Sequence, residues 1–207
     1  MEFTARLRAG MMSMSTDAVD ADGALVERAR KGDMNAFEEL FIRHRLLVYR
    51  YIYQMVPNQD EAEDLVQEVF VKAHQNLDRY RDEAKFTTWL LRIATNQATD
   101  RARMARRRSN LEQKEAAGAL VWMTHDVVED PVGNLEEERR LNCLRRALMA
   151  LPSHHRSMIV LRDVEEKEYS DIAQILGCSV GGAKLRVLRA RRALRDRVTA
   201  LLGDPTP

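Results

Sequence analysis

The sequence predicts an all-α protein: two small helical domains joined by a flexible linker, the C-terminal one a helix-turn-helix. Three observations predict it. Apolar residues recur at three- and four-residue intervals along most of the chain, and no stretch alternates apolar and polar residues as a half-buried strand does. Glycine and proline are sparse, nine and five in 207 residues, and fall where one periodic segment gives way to the next. Periodicity fades between Ser109 and Gly133, which also holds Gly118 and Pro131 and reads as the linker.

Taken in order, residues 1–21 read as a disordered tail. The tail has charge but no apolar core before a cleavage site, so it does not read as a secretory signal. Met1, Met11, Met12 and Met14 each offer a possible start. The first domain spans 22–108. Ala24–Lys31 is a short helix stopped by Gly32. Asn35–Val56 carries Phe37, Leu40, Phe41, Leu47, Val48, Tyr51 and Ile52 as its apolar set, and Pro57-Asn58 breaks it. Asp60–Leu77 and Phe86 to about Arg107 supply two more helices. Within the linker, 109–133, the island Ala119-Leu-Val-Trp-Met123 reads more readily as a short helix packed on a domain than as a partner-binding segment.

The second domain, 134–203, holds helices over Leu135–Leu151, Ser153–Glu165, Ser170–Leu176 and Ser179–Leu202. Pro152 separates the first two. Ser170 is positioned to cap the third helix, Gly177 to end it with a positive backbone angle, and Ser179 to cap the fourth. A short helix, a tight turn and an arginine-loaded second helix make a helix-turn-helix, whose second helix can lie in a DNA major groove.

Net charge is only +1, so the distribution carries the information. Asn58–Phe70 holds Asp60, Glu61, Glu63, Asp64 and Glu68 with no base. Arg101–Arg108 holds five arginines with no acid. Lys184–Arg197 holds Lys184 and six arginines against Asp196 alone. One acidic and two basic surfaces point to two kinds of partner. Cys143 and Cys178 form no metal knuckle or disulfide framework and read as buried thiols in a reducing cytoplasm. No apolar run approaches membrane-spanning length, so membrane insertion is not expected, and no motif calls for a metal or cofactor.

On the acidic helix, Leu65, Val66, Val69, Phe70, Ala73 and Leu77 gather on one side. Asp60, Glu61, Asp64, Gln67, Glu68 and the apolar Val71 gather on the other. Acids clustered without basic partners repel one another, and an apolar spot within a polar rim suits docking against a basic helix. On Phe86–Arg108, Leu90, Leu91, Ala94 and Ala98 face a core. Trp89, Asn96, Asp100, Arg103 and Arg107 form a separate stripe. An amide for base edges, an aromatic for stacking and arginines for phosphate can serve nucleic acid, with Asp100 accepting from a base amino group or pairing with an arginine. On periodicity alone Trp89 is the more natural core residue. In the last helix Val180, Ala183, Val187, Ala190, Leu194 and Val198 share the inner face, while Leu185, Arg189 and Arg192 point away.

Three segments in order, Asp64-Leu-Val-Gln-Glu-Val-Phe70, Phe86-Thr-Thr-Trp-Leu-Leu-Arg-Ile-Ala-Thr-Asn96 and the helix-turn-helix from Tyr169, together with Ala150-Leu-Pro152, make the chain resemble an extracytoplasmic-function (ECF) sigma factor, the compact bacterial transcription-initiation subunit. The resemblance covers about Ala24 to Leu202. It implies that the first domain binds core RNA polymerase and captures the melted minus-ten element, while the second reads the minus-thirty-five element. It places Asp64, Gln67 and Glu68, with Val71, on the polymerase-binding helix, and Val69 and Phe70 inside. Asn96 and Asp100 fall on minus-ten contacts, joined by Trp89, Arg103 and Arg107. The loop Asp78–Lys85 falls where the family receives a flipped-out base. Ser179, Gly182, Lys184, Leu185, Arg186, Arg189 and Arg192 make the minus-thirty-five set. The family is usually restrained by an anti-sigma factor, and the subunit performs no chemistry itself.

Two departures stand out. Gly181-Gly182 replaces the family's common glycine-threonine pair, removing a hydroxyl that could contact phosphate. Leu185 stands where small polar residues are usual and could meet a thymine methyl. Two other readings compete. A stand-alone helix-turn-helix regulator explains the second domain but not the acids of the third helix. A metal enzyme needs acids converging on a concavity, whereas these spread along a convex face, and adjacent His154-His155 poorly suit one metal.

Overall fold

A computed structural model describes residues 18–81, 84–115 and 135–202. All described regular structure is helical. The helices are α1 (Ala18–Arg30), α2 (Met34–Tyr53), α3 (Gln59–Gln75), α4 (Phe86–Glu115), α5 (Leu135–Met149), α6 (Ser153–Ile159), α7 (Tyr169–Leu176) and α8 (Val180–Leu202). A 3-10 turn, Leu77–Arg79, follows α3, and a π-turn, Val160–Val164, extends α6. The tail residues 1–17, the island around Trp122 and the loop residues Asp82 and Glu83 lie outside the described set.

The stops and starts follow local chemistry. Asp33 caps α2 by accepting from the Ala36 amide, and Asn58 caps α3 by accepting from the Glu61 amide at 2.8 Å. Gly177, at φ +60°, ends α7 in the left-handed conformation. Ser179 Oγ accepts from the Gly182 amide at 3.1 Å and so caps α8. Ser170 does not cap α7: the helix begins a residue earlier, with Glu168 at the cap position and no side-chain cap bond, so Ser170 lies inside the first turn. Two lengths also differ from expectation. α1 begins at Ala18 rather than Ala24, and α4 runs on to Glu115, well past Arg107.

Helices α1–α4 bury Leu40, Tyr51, Ile52, Leu65, Val69, Leu90, Leu91, Ala94 and Ala98 against one another. Burying a side chain of leucine size stabilises by about 1.5–3 kcal/mol. Within this core Tyr51 Oη and Thr95 Oγ1 are hydrogen-bonded at 2.8 Å. Helices α5–α8 gather around Leu161, Ile172, Ile175, Ala183 and Val187. The inner face of α8 is shorter than the periodicity suggests. Ala183, Val187 and Ala190 are buried, Val180 is exposed, and Leu194 and Val198 are only half-covered. Cys143 and Cys178 are free and half-buried rather than buried.

The two halves pack together. α4 lies against α6 and α7, and the C-terminal end of α2 meets α5 and α6. Arg156 of α6 is the polar centre of this seam. Its buried guanidinium donates to the carbonyls of Leu148, Met149 and Leu151 at the end of α5, and to Met55 after α2. Burial, and secondarily Arg145, lowers its pKa to about 10.

Candidate nucleic-acid and protein interfaces

α3 presents two chemically distinct faces. Leu65, Val66, Val69, Phe70, Ala73 and the following Leu77 point inward and are buried, as the spacing predicts. Asp64, Gln67, Glu68 and Val71 are exposed. One of these acids, Glu68, has a basic partner. Glu68 Oε1 accepts from Arg101 of α4 at 2.6 Å, and its Oε2 from Gln97 at 3.3 Å. Sequence separation hid this pair, because Arg101 comes from the next helix. Of the other outward-facing residues, Gln67 and Val71 border an apolar strip shared with α2, where the acid is Glu63 rather than Asp64. Phe37, Phe41 and Phe70 floor one groove, and Ile42, Leu46 and Tyr49 line its neighbour, with Gln67 between them. Met34, Ile42, Leu46 and Val71 are each more than half exposed, an apolar surface of the kind that marks an interaction site.

α4 carries the second candidate site. Trp89 is half-buried: one side packs against Tyr80 and Phe86, ring centroids 5.3 and 5.6 Å away. The other side lines a cleft of about 510 Å³ with Asn96 and Asp100. Trp89 thus both packs on the core and lines the cleft. Arg103 pairs with Asp100 at 3.4 Å, as one sequence reading allowed, and Arg107 is exposed further along. Lys72, Arg79, Arg92 and Gln97 also line the cleft. Sequence reasoning missed them, although Arg92 falls three residues after Trp89 and four before Asn96, on the same stripe. The adjoining loop is pinned from α1. Arg30 donates to the carbonyls of Leu77 and Tyr80, and Tyr80 donates to the Ala84 carbonyl at 2.7 Å.

The third site is convex. Lys184, Leu185, Arg186, Arg189 and Arg192 stand exposed on α8, with Leu185 and Leu188 leaving large apolar tips in solvent. Ser179 at the cap is exposed. A Cβ on Gly182 would meet its Oγ at 3.1 Å, a close but adjustable contact. Tyr169 at the start of α7 receives the guanidinium of Arg162 at 4.7 Å and the ammonium of Lys184 at 5.7 Å from its ring centre. Arg191 pairs with Asp163, anchoring α8 to the π-turn. Burial, then His155, Arg103 and Arg186, hold the His154 imidazole below its ordinary pKa. Among the described residues no three His, Cys, Asp or Glu side chains group as a metal site.

The comparisons with known proteins match this division. Residues 40–108 match the family model for sigma-70 region 2, and 141–194 that for sigma-70 region 4. The chain is 34% identical over 182 residues to the ECF RNA polymerase sigma factor SigW of Bacillus subtilis, covering 85% of this chain and 96% of the relative. It belongs to the ECF family of RNA polymerase sigma factors. The ECF RNA polymerase sigma-E factor of Escherichia coli K12 is likewise 34% identical, over 189 residues, 87% of this chain and 96% of the relative.

Solved structures agree on the fold of this sigma factor. CnrH in complex with the cytosolic domain of CnrY superposes with a TM-score of 0.62 at 24% identity, covering 87% of this chain and 99% of that one. The sigma factor RpoE of Bartonella quintana, in complex with the anti-sigma factor NepR, gives 0.60 at 26% identity, covering 82% and 98%. The family assignment makes the chain a transcription-initiation factor and sets aside a stand-alone regulator. No helix of the described residues is long and apolar enough to cross a membrane.

Proposed function

We propose that this chain is a cytoplasmic, non-catalytic promoter-recognition subunit. It binds core RNA polymerase through the outer face of α3, takes the melted minus-ten strand at α4 and reads the minus-thirty-five duplex with α8. The working division is 22–108 for polymerase and minus-ten binding, 109–133 for the linker and 134–203 for minus-thirty-five binding. The observation that carries this reading is the cleft beside Trp89. It sets an aromatic face, an amide and a carboxylate at Asn96 and Asp100, and the cations Lys72, Arg79 and Arg92 around one concavity. An unstacked base needs a ring to stack on and polar groups for its edge, and its phosphates need cations. Extruding a base costs a few kcal/mol, and a preformed pocket offsets that only for melted DNA. On α3, the exposed Asp64 and Gln67 supply polar groups and Val71 adds to the exposed apolar strip. Glu68 contributes through its bond to Arg101 as well as its residual exposure. On α8, Ser179, Gly182, Lys184, Leu185, Arg186, Arg189 and Arg192 form the duplex-reading set.

The solved complex of a 26%-identical sigma factor with an anti-sigma factor supports a restraining partner of that kind here. Its helices would cover the apolar strip of α2 and α3. The decisive experiment is transcription in vitro from a genomic promoter library, with core polymerase alone and with this protein added. New promoter-specific transcripts are expected; their absence from every promoter would overturn the reading.

A further inference from the structure

We propose that Arg30 of α1 is a positioning residue for the cleft on α4: it pins the turn behind the cleft and so holds the Trp89 ring in place for a single-stranded base. Arg30 is not among the residues lining the cleft. Its guanidinium serves the backbone behind it instead. Nε donates to the Leu77 carbonyl at 3.2 Å, Nη2 donates to the Tyr80 carbonyl and Nη1 pairs with Glu27. Each of the three nitrogens thus has an acceptor.

The local backbone explains why a guanidinium is needed there. The 3-10 turn Leu77–Arg79 ends at Tyr80, which leaves the helical region at φ −66° and ψ 130°. Tyr80 is buried, so its carbonyl, turned out of the helical ladder, needs a donor from elsewhere. The rigid, always-charged fork of arginine can serve two carbonyls at once, which a lysine ammonium does poorly. The Arg30 side chain is only 20% exposed, so little water competes for these bonds. The anchor is itself fixed. Gly32, at φ +90°, turns the chain from α1 into α2, and Arg28 donates to Asp33 across that turn at 2.7 and 2.9 Å.

The pin reaches the cleft by two routes. Arg79 lies within the pinned turn and lines the cleft. Tyr80 carries the second route. Its ring lies 5.7 Å from the Arg30 guanidinium on one side and 5.3 Å from the Trp89 ring on another, and its hydroxyl donates to the Ala84 carbonyl. Trp89 stands in the first turn of α4, with one ring side toward the cleft, so the aromatic wall of Tyr80 and Phe86 sets its rotamer. Without the pin that wall can recede and the indole can turn. The consequence for single-strand capture rests on the promoter reading of the cleft; the pin itself is testable without DNA.

The test has two arms on the full chain. Trp122→Phe leaves Trp89 as the only tryptophan, and time-resolved fluorescence anisotropy then reports its motion. Arg30→Met keeps the aliphatic length and removes every donor. It should roughly double the fast, nanosecond depolarisation of Trp89, with helical content unchanged. In the second arm, holoenzyme carrying Arg30→Met should bind the single-stranded minus-ten oligonucleotide about fivefold more weakly, the low end of one base–aromatic stack, while upstream duplex binding holds. In a Trp89→Ala background the same substitution should change single-strand binding by less than about twofold, because Arg30 acts through the ring. Arg30→Lys should fall between parent and Arg30→Met, and it keeps the test valid if Arg30→Met fails to fold. Unchanged Trp89 depolarisation in both variants, or equal losses of single-strand binding with and without the Trp89 ring, would overturn the pin. A parent holoenzyme that binds no single strand, with Trp89 still loosened by Arg30→Met, would sink the promoter reading and leave the pin standing.

Discussion

The two regions proposed to face DNA, α4 and α8, differ in the shape of the surface around their arginines. On α4 the candidate side chains surround a concavity, with Trp89 half-buried and backed by Tyr80 and Phe86. On α8 they stand on a convex ridge, with Leu185 and the arginines in solvent. A concave site excludes an intact duplex but accepts a base swung out of it; a ridge fits a groove and has nowhere to hold a loose base. The difference teaches that arginine-rich helices on one chain need not suit the same ligand state, because the surrounding surface sets what shape can approach them.

The largest effect should come from the scaffold that both readers share. Arg156→Ala removes donors from four carbonyls, and at about 1 kcal/mol each the loss is roughly 4 kcal/mol in urea unfolding. A loss below about 1 kcal/mol would show that water replaces the guanidinium and that the seam is not structural. Next, Trp89→Ala should weaken binding of the holoenzyme to a single-stranded minus-ten oligonucleotide by about 1–3 kcal/mol, the scale of one base–aromatic stack. The promoter would come from the transcription screen. Duplex binding upstream should not move; equal losses on both would erase the contrast between the sites.

Arg189→Ala is the mirror experiment. Upstream duplex affinity should fall by roughly 1–2 kcal/mol if its guanidinium reads a base pair, with single-strand binding intact. Unchanged upstream footprints would remove Arg189 from the reading set. Ser179→Ala deletes the cap bond to Gly182 and should cost about 1 kcal/mol of stability. Thermal unfolding equal to that of the parent protein would mean that water caps α8 as well. The smallest effect concerns the core behind the cleft. Burial raises the pKa of Tyr51 well above 10, so its contribution is complete below pH 10 and is lost as pH rises beyond that, where the unfolded chain ionises first. Tyr51→Phe should lose about 1 kcal/mol at neutral pH through its bond to Thr95. It should also decline less steeply in alkali, read by urea midpoints from pH 8 to 11.

Much of the fold is legible in the chain because helical period is a local property. The buried face of α3, the cores of α2 and α4, the Gly177 stop and the Ser179 cap all follow from spacing and turn chemistry. The misses cluster where a long-range partner decides. Glu68 reads as an unpaired acid until Arg101 arrives from another helix. Trp89 reads as core because periodicity cannot show that one ring face borders a cleft. Arg156 and the Glu165 side chain are buried by the packing of the halves, which helical spacing does not show. Asp22 of α1 places a carboxylate 2.9 Å from the buried His44 ring of α2, another pairing between helices.

The sequence by itself determined the helices, their order, the helix-turn-helix and the family. Each depends on residues within a few turns of one another, where spacing, caps and glycines fix the backbone. Tertiary structure decided which charges are paired, which aromatic faces are open and how the halves meet. Those outcomes depend on residues brought together across the fold, where burial raises the worth of a partner and the cost of lacking one.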